Sequence, residues 1–261
     1  MTAGAVDAAR STAARDRKLV WVDDFDGPAG AQPDPAFWTH ELGDGTEQGI
    51  PGWGNGELQR YTADRPNSAL DGRGNLAVTA RRDESGRGAY TSARLITRGA
   101  VEVRYGRLEA RVRVPRGAGL WPAFWALGAD IGEAGWPACG EIDVMVHVGR
   151  QPRRVYGAIH GPGYSGDAGL ARTHHLTTDV AEDFHVFAVE WAPAELVWSV
   201  DGLDYHRATP ADVAPRAWAF GHPFYLLLNL AVGGGLGGEV ADETAFPAQM
   251  LVDYVRVYAA S

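Results

Sequence analysis

Short segments in which every second residue is apolar recur through most of this chain, separated by turn signals, and no long run carries apolar residues at helical spacing. Alternation is the period of a strand with one buried face. Asp71-Gly72, Arg116-Gly117 and Asp201-Gly202 supply residue pairs that tolerate tight turns. The pattern predicts a first strand over Lys18 to Asp24, ending in the turn Asp26-Gly27-Pro28, and further strands near Asn75 to Arg82, Ala93 to Ile96, Gly106 to Val114 and Trp121 to Leu127. It continues with Glu141 to Val148, Val155 to His160, Phe184 to Trp191, Glu195 to Val200, Phe224 to Ala231 and Leu251 to Tyr258. Many short strands joined by turns describe an all-β sandwich. At 261 residues one domain over residues 18–261 is expected, after a disordered Ala-rich tail over residues 1–17. Gly233-Gly234-Gly235 is read as a loop within that domain, because a further core strand follows it.

The formal charge of −9 and the lack of any Lys/Arg cluster argue against nucleic acid or an anionic membrane surface as a partner, since both need concentrated positive charge. A neutral ligand and a monomeric chain are expected. Nine Trp and nine Tyr suit a sugar, whose C–H faces pack on aromatic rings while its hydroxyl edges meet Asn, Gln and Arg. Cys139 is the only cysteine, so no intrachain disulfide is possible, and a buried structural thiol is expected. Residues 1–17 hold no apolar run of signal-peptide length. With Met1 as the native start the expected location is the cytoplasm; a secreted protein whose leader has been removed would read the same.

Chemistry concentrates in Gly140 to Gly149, Gly-Glu-Ile-Asp-Val-Met-Val-His-Val-Gly. On a strand, Glu141 and Asp143 share one face and Ile142 and Val144 the other. Two carboxylates this close cannot ionise independently. The stretch resembles the active-site strand of glycoside hydrolase family 16, the laminarinase and lichenase group, whose pattern is Glu-x-Asp-x-x-Glu. The resemblance implies a concanavalin A-like β-jelly-roll sandwich of two antiparallel sheets with a concave cleft. It also implies a retaining mechanism with Glu141 as nucleophile and Asp143 as its helper, and Val146 stands where the acid/base Glu belongs. Plain alternation would put Met145 and His147 on the acidic face; the family pattern implies a β-bulge that brings position 146 there and turns His147 away.

The resemblance covers roughly Val20 to Tyr258. Trp53-Gly54-Asn55-Gly56-Glu57-Leu58-Gln59 with Tyr61 is similar to the segment lining the donor side of the family's cleft, and Tyr90-Thr91-Ser92-Ala93-Arg94 to another wall. Gly119 to Trp125, with Trp121 and Trp125, matches the strand before the catalytic one, and His160 matches the one after. These imply Trp53, Asn55, Glu57, Arg94, Trp121, Trp125 and His160 as substrate contacts. Family laminarinases commonly read Ala-Val-Gly-Gly-Asn-Trp-Pro-Gly near the end, whereas this chain has Ala231-Val232-Gly233-Gly234-Gly235-Leu236-Gly237-Gly238. Leu236 therefore stands in a sugar-binding loop that lacks its Asn and Trp. The family often carries a structural calcium, for which the matching positions are the backbone near Asp24, the carbonyl of Gly74, and Asp253; oxygen ligands suit that ion. No cofactor is implied for the chemistry.

Three functions stay open. The first is a β-1,3-glucan (laminarin-type) hydrolase whose activity is weak or absent for want of the general acid/base; had Val146 been introduced to trap substrate, the parent would be an ordinary endo-glucanase. The second is a repurposed intracellular enzyme using the Glu141/Asp143 pocket on a non-sugar metabolite, with a small molecule as ligand. The third is a lectin-like protein that binds β-glucan oligosaccharides without turnover.

Overall fold

The structure, a computed structural model, describes residues 17–84 and 89–260. The expected tail lies outside the described residues except for Arg17, whose guanidinium pairs with Glu190 at 2.8 Å. Among the described residues the strands form two sheets, one of ten strands and one of eight. The eight-stranded sheet runs in the order Leu170–His175, Arg154–His160, Glu141–His147, Leu120–Gly128, Phe224–Val232, Arg94–Ile96, Thr39–His40, with Glu102–Val103 also paired to Phe224–Val232. In the other sheet Gly106–Arg113 and Ala248–Tyr258 are central neighbours. The pairings are antiparallel apart from Gln59–Tyr61 on Tyr90–Ser92.

Leu108, Ala110 and Val112 of the larger sheet meet Phe124, Ala126, Ile142, Leu226, Leu228 and Leu230 of the smaller one in a single core. These residues alternate along their strands, as the sequence pattern requires. Phe224–Val232 departs from alternation and is buried along its whole length. Its even-numbered residues face the core, while Tyr225 and Leu227 join Ile96, Leu127 and Cys139 in a second apolar cluster, against which Trp125 packs. The smaller sheet is therefore covered on part of its outer face as well, which explains why this strand reads as a continuous apolar run.

Observed strands match the expected ones to within a few residues; Glu195–Val200 coincides, and Ala248–Tyr258 starts three residues before the expected Leu251. Leu170–His175 and Leu203–Ala208 were not foreseen. Each ends its sheet; Leu170–His175 is largely exposed and Leu203–Ala208 buries only His206 and Ala208, so neither carries an apolar period. Thr39–His40, Gln59–Tyr61, Ser68–Leu70, Tyr90–Ser92 and Glu102–Val103 are of two or three residues, too short to show one. Among the described residues no helix is long and apolar enough to cross a membrane.

Candidate active site

Cross-strand partners in an antiparallel sheet share a face, and this places the candidate residues. Glu141 pairs with His160 and with Leu127; Asp143 pairs with Ala158 and with Trp125. The outer face of the smaller sheet thus carries Glu141, Asp143 and His160 side by side. The His160 ring sits 3.1 Å from the Asp143 carboxylate and 3.9 Å from that of Glu141, measured from Nε2. The Trp136 indole N–H donates to Glu141 Oε2 at 2.8 Å.

Burial first, and then the Asp143 charge, push the Glu141 carboxyl up to about 7, although His160, Trp136 and Arg94 pull the other way. Burial by itself would lower His160, but the hydrogen bond and charge of Asp143, with Glu141 beyond, outweigh it and raise the imidazole to about 9. Near neutral pH a protonated His160 thus stands beside a Glu141 carboxyl poised between its two protonation states, and its charge favours the ionised one.

The register shifts between Asp143 and Val146 toward one neighbouring strand and between Phe124 and Trp125 toward the other. Val144 and Met145, consecutive in sequence, both enter the core; this is the bulge, and the plain-alternation register is ruled out. Val146 resumes the outer face. It pairs with Ala123, which shares its face with Trp121 and Trp125, and with Tyr156 on the other side. Val146 is 7% exposed and offers no proton. His147 is buried, with Nδ1 2.8 Å from the Arg154 carbonyl oxygen.

Arg94 is the centre of a second group. Its guanidinium lies 4.4 Å from the Trp53 ring centroid and 4.9 Å from that of Trp125, and Nε pairs with Glu41 at 2.5 Å. Stacking and the ion pair fix its plane. A hydrogen-bonded chain continues from there: the Trp125 indole donates to Asn229, Asn229 donates to the Tyr61 hydroxyl, and Tyr61 donates to Glu57, at 2.8, 3.0 and 3.2 Å. Asn55 and Gln59 donate to the two oxygens of Glu57. Burial raises the Glu57 carboxyl above its ordinary range against the pull of these donors.

Where the sequence led to a loop at Gly233-Gly234-Gly235, the structure has a single helical turn, Gly234–Gly237, closed by glycines of positive φ at both ends, and this segment packs on the same wall. Gly235 N–H donates to the Asn55 carbonyl at 2.8 Å. A Cβ on Gly234, whose φ is +75°, would meet that carbonyl at 3.0 Å and the Trp121 ring at 3.4 Å, so glycine is what lets the loop lie flat against the wall. Leu236 projects from it, 37% exposed.

Known proteins match this chain over most of its length. The family model "Glycosyl hydrolases family 16" matches residues 58–256. The chain belongs to that family. It is 44% identical over 258 residues to a beta-glucanase of Rhodothermus marinus, covering 95% of this chain and 87% of the relative. It superposes with a TM-score of 0.88 on an endo-beta-1,3-glucanase of Pyrococcus furiosus, at 46% identity over 93% of this chain and 94% of the other. The laminarinase catalytic domain of Thermotoga maritima gives 0.89 at 46% identity, covering 95% and 100%. The two sheets are accordingly the jelly-roll sandwich of family 16.

The structure brings Glu141, Asp143, His160, Trp53, Arg94 and Trp125, all named from the sequence, to one face, with Asn55, Glu57, Trp121 and Leu236 beside them. Sequence reasoning noted Trp136 only as an aromatic flanking the acidic strand and did not single out Asn229, Glu41 or Tyr156. Asn229 had a signal, being the one polar residue in the Phe224–Val232 run. Glu41 had none, because its part depends on Arg94. The positions matched to calcium lie apart from this face. Asp253 is engaged by Arg111 at 2.7 Å and Asp24 by Arg256 at 2.9 Å.

Proposed function

We propose that this family 16 protein recognises β-1,3-glucan on the outer face of its smaller sheet and hydrolyses it weakly or not at all. The observation that carries the reading is the arrangement around the bulge: Glu141 is held by Trp136 and flanked by Asp143 and His160, while the outward position beyond the bulge is valine. A retaining glycosidase needs a carboxylate that attacks the anomeric carbon and a second carboxyl ~5 Å away that protonates the leaving oxygen and then deprotonates water. Glu141 is placed for the first task. His160, cross-strand from Glu141 and hydrogen-bonded to Asp143, is placed to support the two carboxyl groups, and in this reading it does not take over the acid's task. The Trp53–Arg94–Trp125 stack and the Glu57 chain give a rigid polar and aromatic wall of the kind that holds sugar hydroxyls and ring faces.

Loss of a general acid/base costs roughly 10²–10⁴-fold where its proton is needed. Reducing-sugar release from laminarin by the native protein and by Val146→Glu tests the reading. The variant is expected to exceed the native rate by at least ~10²-fold, with the native protein retaining laminari-oligosaccharide binding by calorimetry. If neither protein cleaves and the native one does not bind, the sugar subsites are not there, and a pocket for a non-sugar metabolite becomes the reading to pursue.

A further inference from the structure

The strand Gln59–Tyr61 has two faces, and the cleft wall uses one of them: Gln59 and Tyr61 donate to Glu57 at 2.6 and 3.2 Å. Arg60, between them, belongs to the other face. There it lines a pocket of about 330 Å³ together with Arg81, Thr91, Thr62 and Asn67, a volume at the lower end of the range that small-molecule sites occupy. We propose that this pocket is a second binding site, separate from the cleft, for one acidic sugar residue: a pyranose that carries a carboxylate and free hydroxyls.

The positive charge comes from two strands that flank a third. Arg60 pairs with Thr91 on one side and Arg81 pairs with it on the other. Two guanidinium groups therefore bracket one hydroxyl in a row across strands ~4.8 Å apart. Among the described residues neither guanidinium is held in an ion pair. Two such forks lining one pocket suit a carboxylate, which accepts paired N–H bonds in its own plane. Arg82 and Asp83 line the pocket as well and contribute opposite charges.

The floor is fixed and leaves the valences that a sugar needs. Asn67 is 2% exposed; its amide donates to the Thr79 carbonyl at 2.9 Å and to the Thr91 hydroxyl at 3.1 Å, and its oxygen accepts from the Thr62 hydroxyl at 2.7 Å. Both amide hydrogens are thereby used, and the Thr91 hydroxyl, an acceptor toward Asn67, keeps its own proton to donate. Asp64 and Glu84 are exposed lining residues and offer acceptors for hydroxyl groups. These two acids set the ligand class. Sulfate brings them no proton and meets their charge, whereas a hydroxylated carboxylate gives protons to the acids and takes them from the arginines. Pro66 is the one apolar side chain lining the pocket and no aromatic ring does, so the cleft's stacking surfaces for a neutral glucosyl face have no counterpart here.

An amide chemical-shift titration of the full chain with methyl β-D-glucuronide at low salt tests the assignment, with methyl β-D-glucoside and sodium sulfate as comparison ligands. The glucuronide is expected to bind, with shifts centred on Arg60, Arg81 and Thr91. Arg60→Ala and Arg81→Ala should each weaken it by roughly tenfold or more, the loss expected for a hydrogen bond between charged groups. The glucoside, which lacks the carboxylate, should bind weaker than the glucuronide by a similar factor. Arg81 is exposed, so its variant keeps the fold, and an unchanged thermal midpoint checks that. Saturating laminari-oligosaccharide should not displace the glucuronide, since pocket and cleft lie on opposite faces of the Gln59–Tyr61 strand. Absence of binding, equal affinity in both arginine variants, equal affinity for glucoside and glucuronide, or displacement by the laminari-oligosaccharide overturns the proposal. Sulfate bound as tightly as the glucuronide, and lost in the same two variants, makes the pocket a simple anion site and overturns the sugar ligand.

Discussion

His160 touches both carboxylates of the candidate site and ties their protonation to the stability of the fold. Its native pKa of about 9 exceeds the ordinary 6.5, and that of Glu141, about 7, exceeds the ordinary 4.5. In both cases the native state binds protons more readily than the unfolded chain. Stability from His160 is full below 6.5 and lost as pH rises through about 9; that from Glu141 is full below 4.5 and lost as pH rises through about 7. The expected outcome is a fall in unfolding free energy from pH 6.5 to 9 that flattens in His160→Asn, checked by denaturant titrations across that range. Activity has the opposite slope, because the nucleophile must be ionised. Release of dinitrophenolate from 2,4-dinitrophenyl β-laminaribioside, a leaving group that needs no proton, should climb as pH passes about 7, following Glu141, and fall again only above about 9, where His160 loses the charge beside the two carboxyl groups. An alkaline limb well below 9 would show that another group donates a proton.

At the scale of the strand, the bulge decides what the cleft sees, and it is pinned from the core side. Trp198, fully buried in the opposite sheet, donates its indole N–H to the Asp143 carbonyl at 2.7 Å and stacks on His206 with ring centroids 4.5 Å apart. Gly157 makes room for this contact: a Cβ there would lie 2.5 Å from both Trp198 Cδ1 and the Tyr205 hydroxyl oxygen. Trp198→Phe removes the donor and is expected to cost about 1–3 kcal/mol for the stranded carbonyl. Gly157→Ala overpacks the same spot for about 1–3 kcal/mol. Thermal denaturation of both variants checks the values, and unchanged stability in both would mean that the bulge holds without this support. The acidic pair on Glu141–His147 was legible from alternation, and the bulge from the family's spacing of its acids. Trp198 was not, because it comes from a strand more than fifty residues on and bonds a backbone atom that no side-chain pattern encodes. The core strands were legible because burial on one face writes a period of two; edge strands such as Leu170–His175 left no such record.

For the whole molecule, several histidines set the acid side of the stability curve. Burial holds His40, His147, His174 and His206 below the ordinary 6.5, His206 down to about 4. The unfolded chain takes up these protons at 6.5 while the native state refuses them, so their contribution is present above 6.5 and lost as pH falls toward 4. His206→Phe keeps an aromatic ring against Trp198 and removes one proton; it should shallow the loss of stability between pH 6.5 and 4 in equilibrium unfolding, and an unaltered slope would assign that loss to the other histidines. The sandwich itself was readable from turn signals and alternation along the chain, and its cleft walls from motif order. The Arg94–Glu41 pair and the Trp125–Asn229–Tyr61 chain were not, since they join segments distant in sequence. The bulge carries a last consequence. Its backbone presents position 146 outward whichever residue is encoded there, and valine and glutamate codons can differ by a single base. A lineage with this frame stands one point mutation from a complete carboxyl pair, so gain and loss of turnover can be exchanged during descent without rebuilding the scaffold.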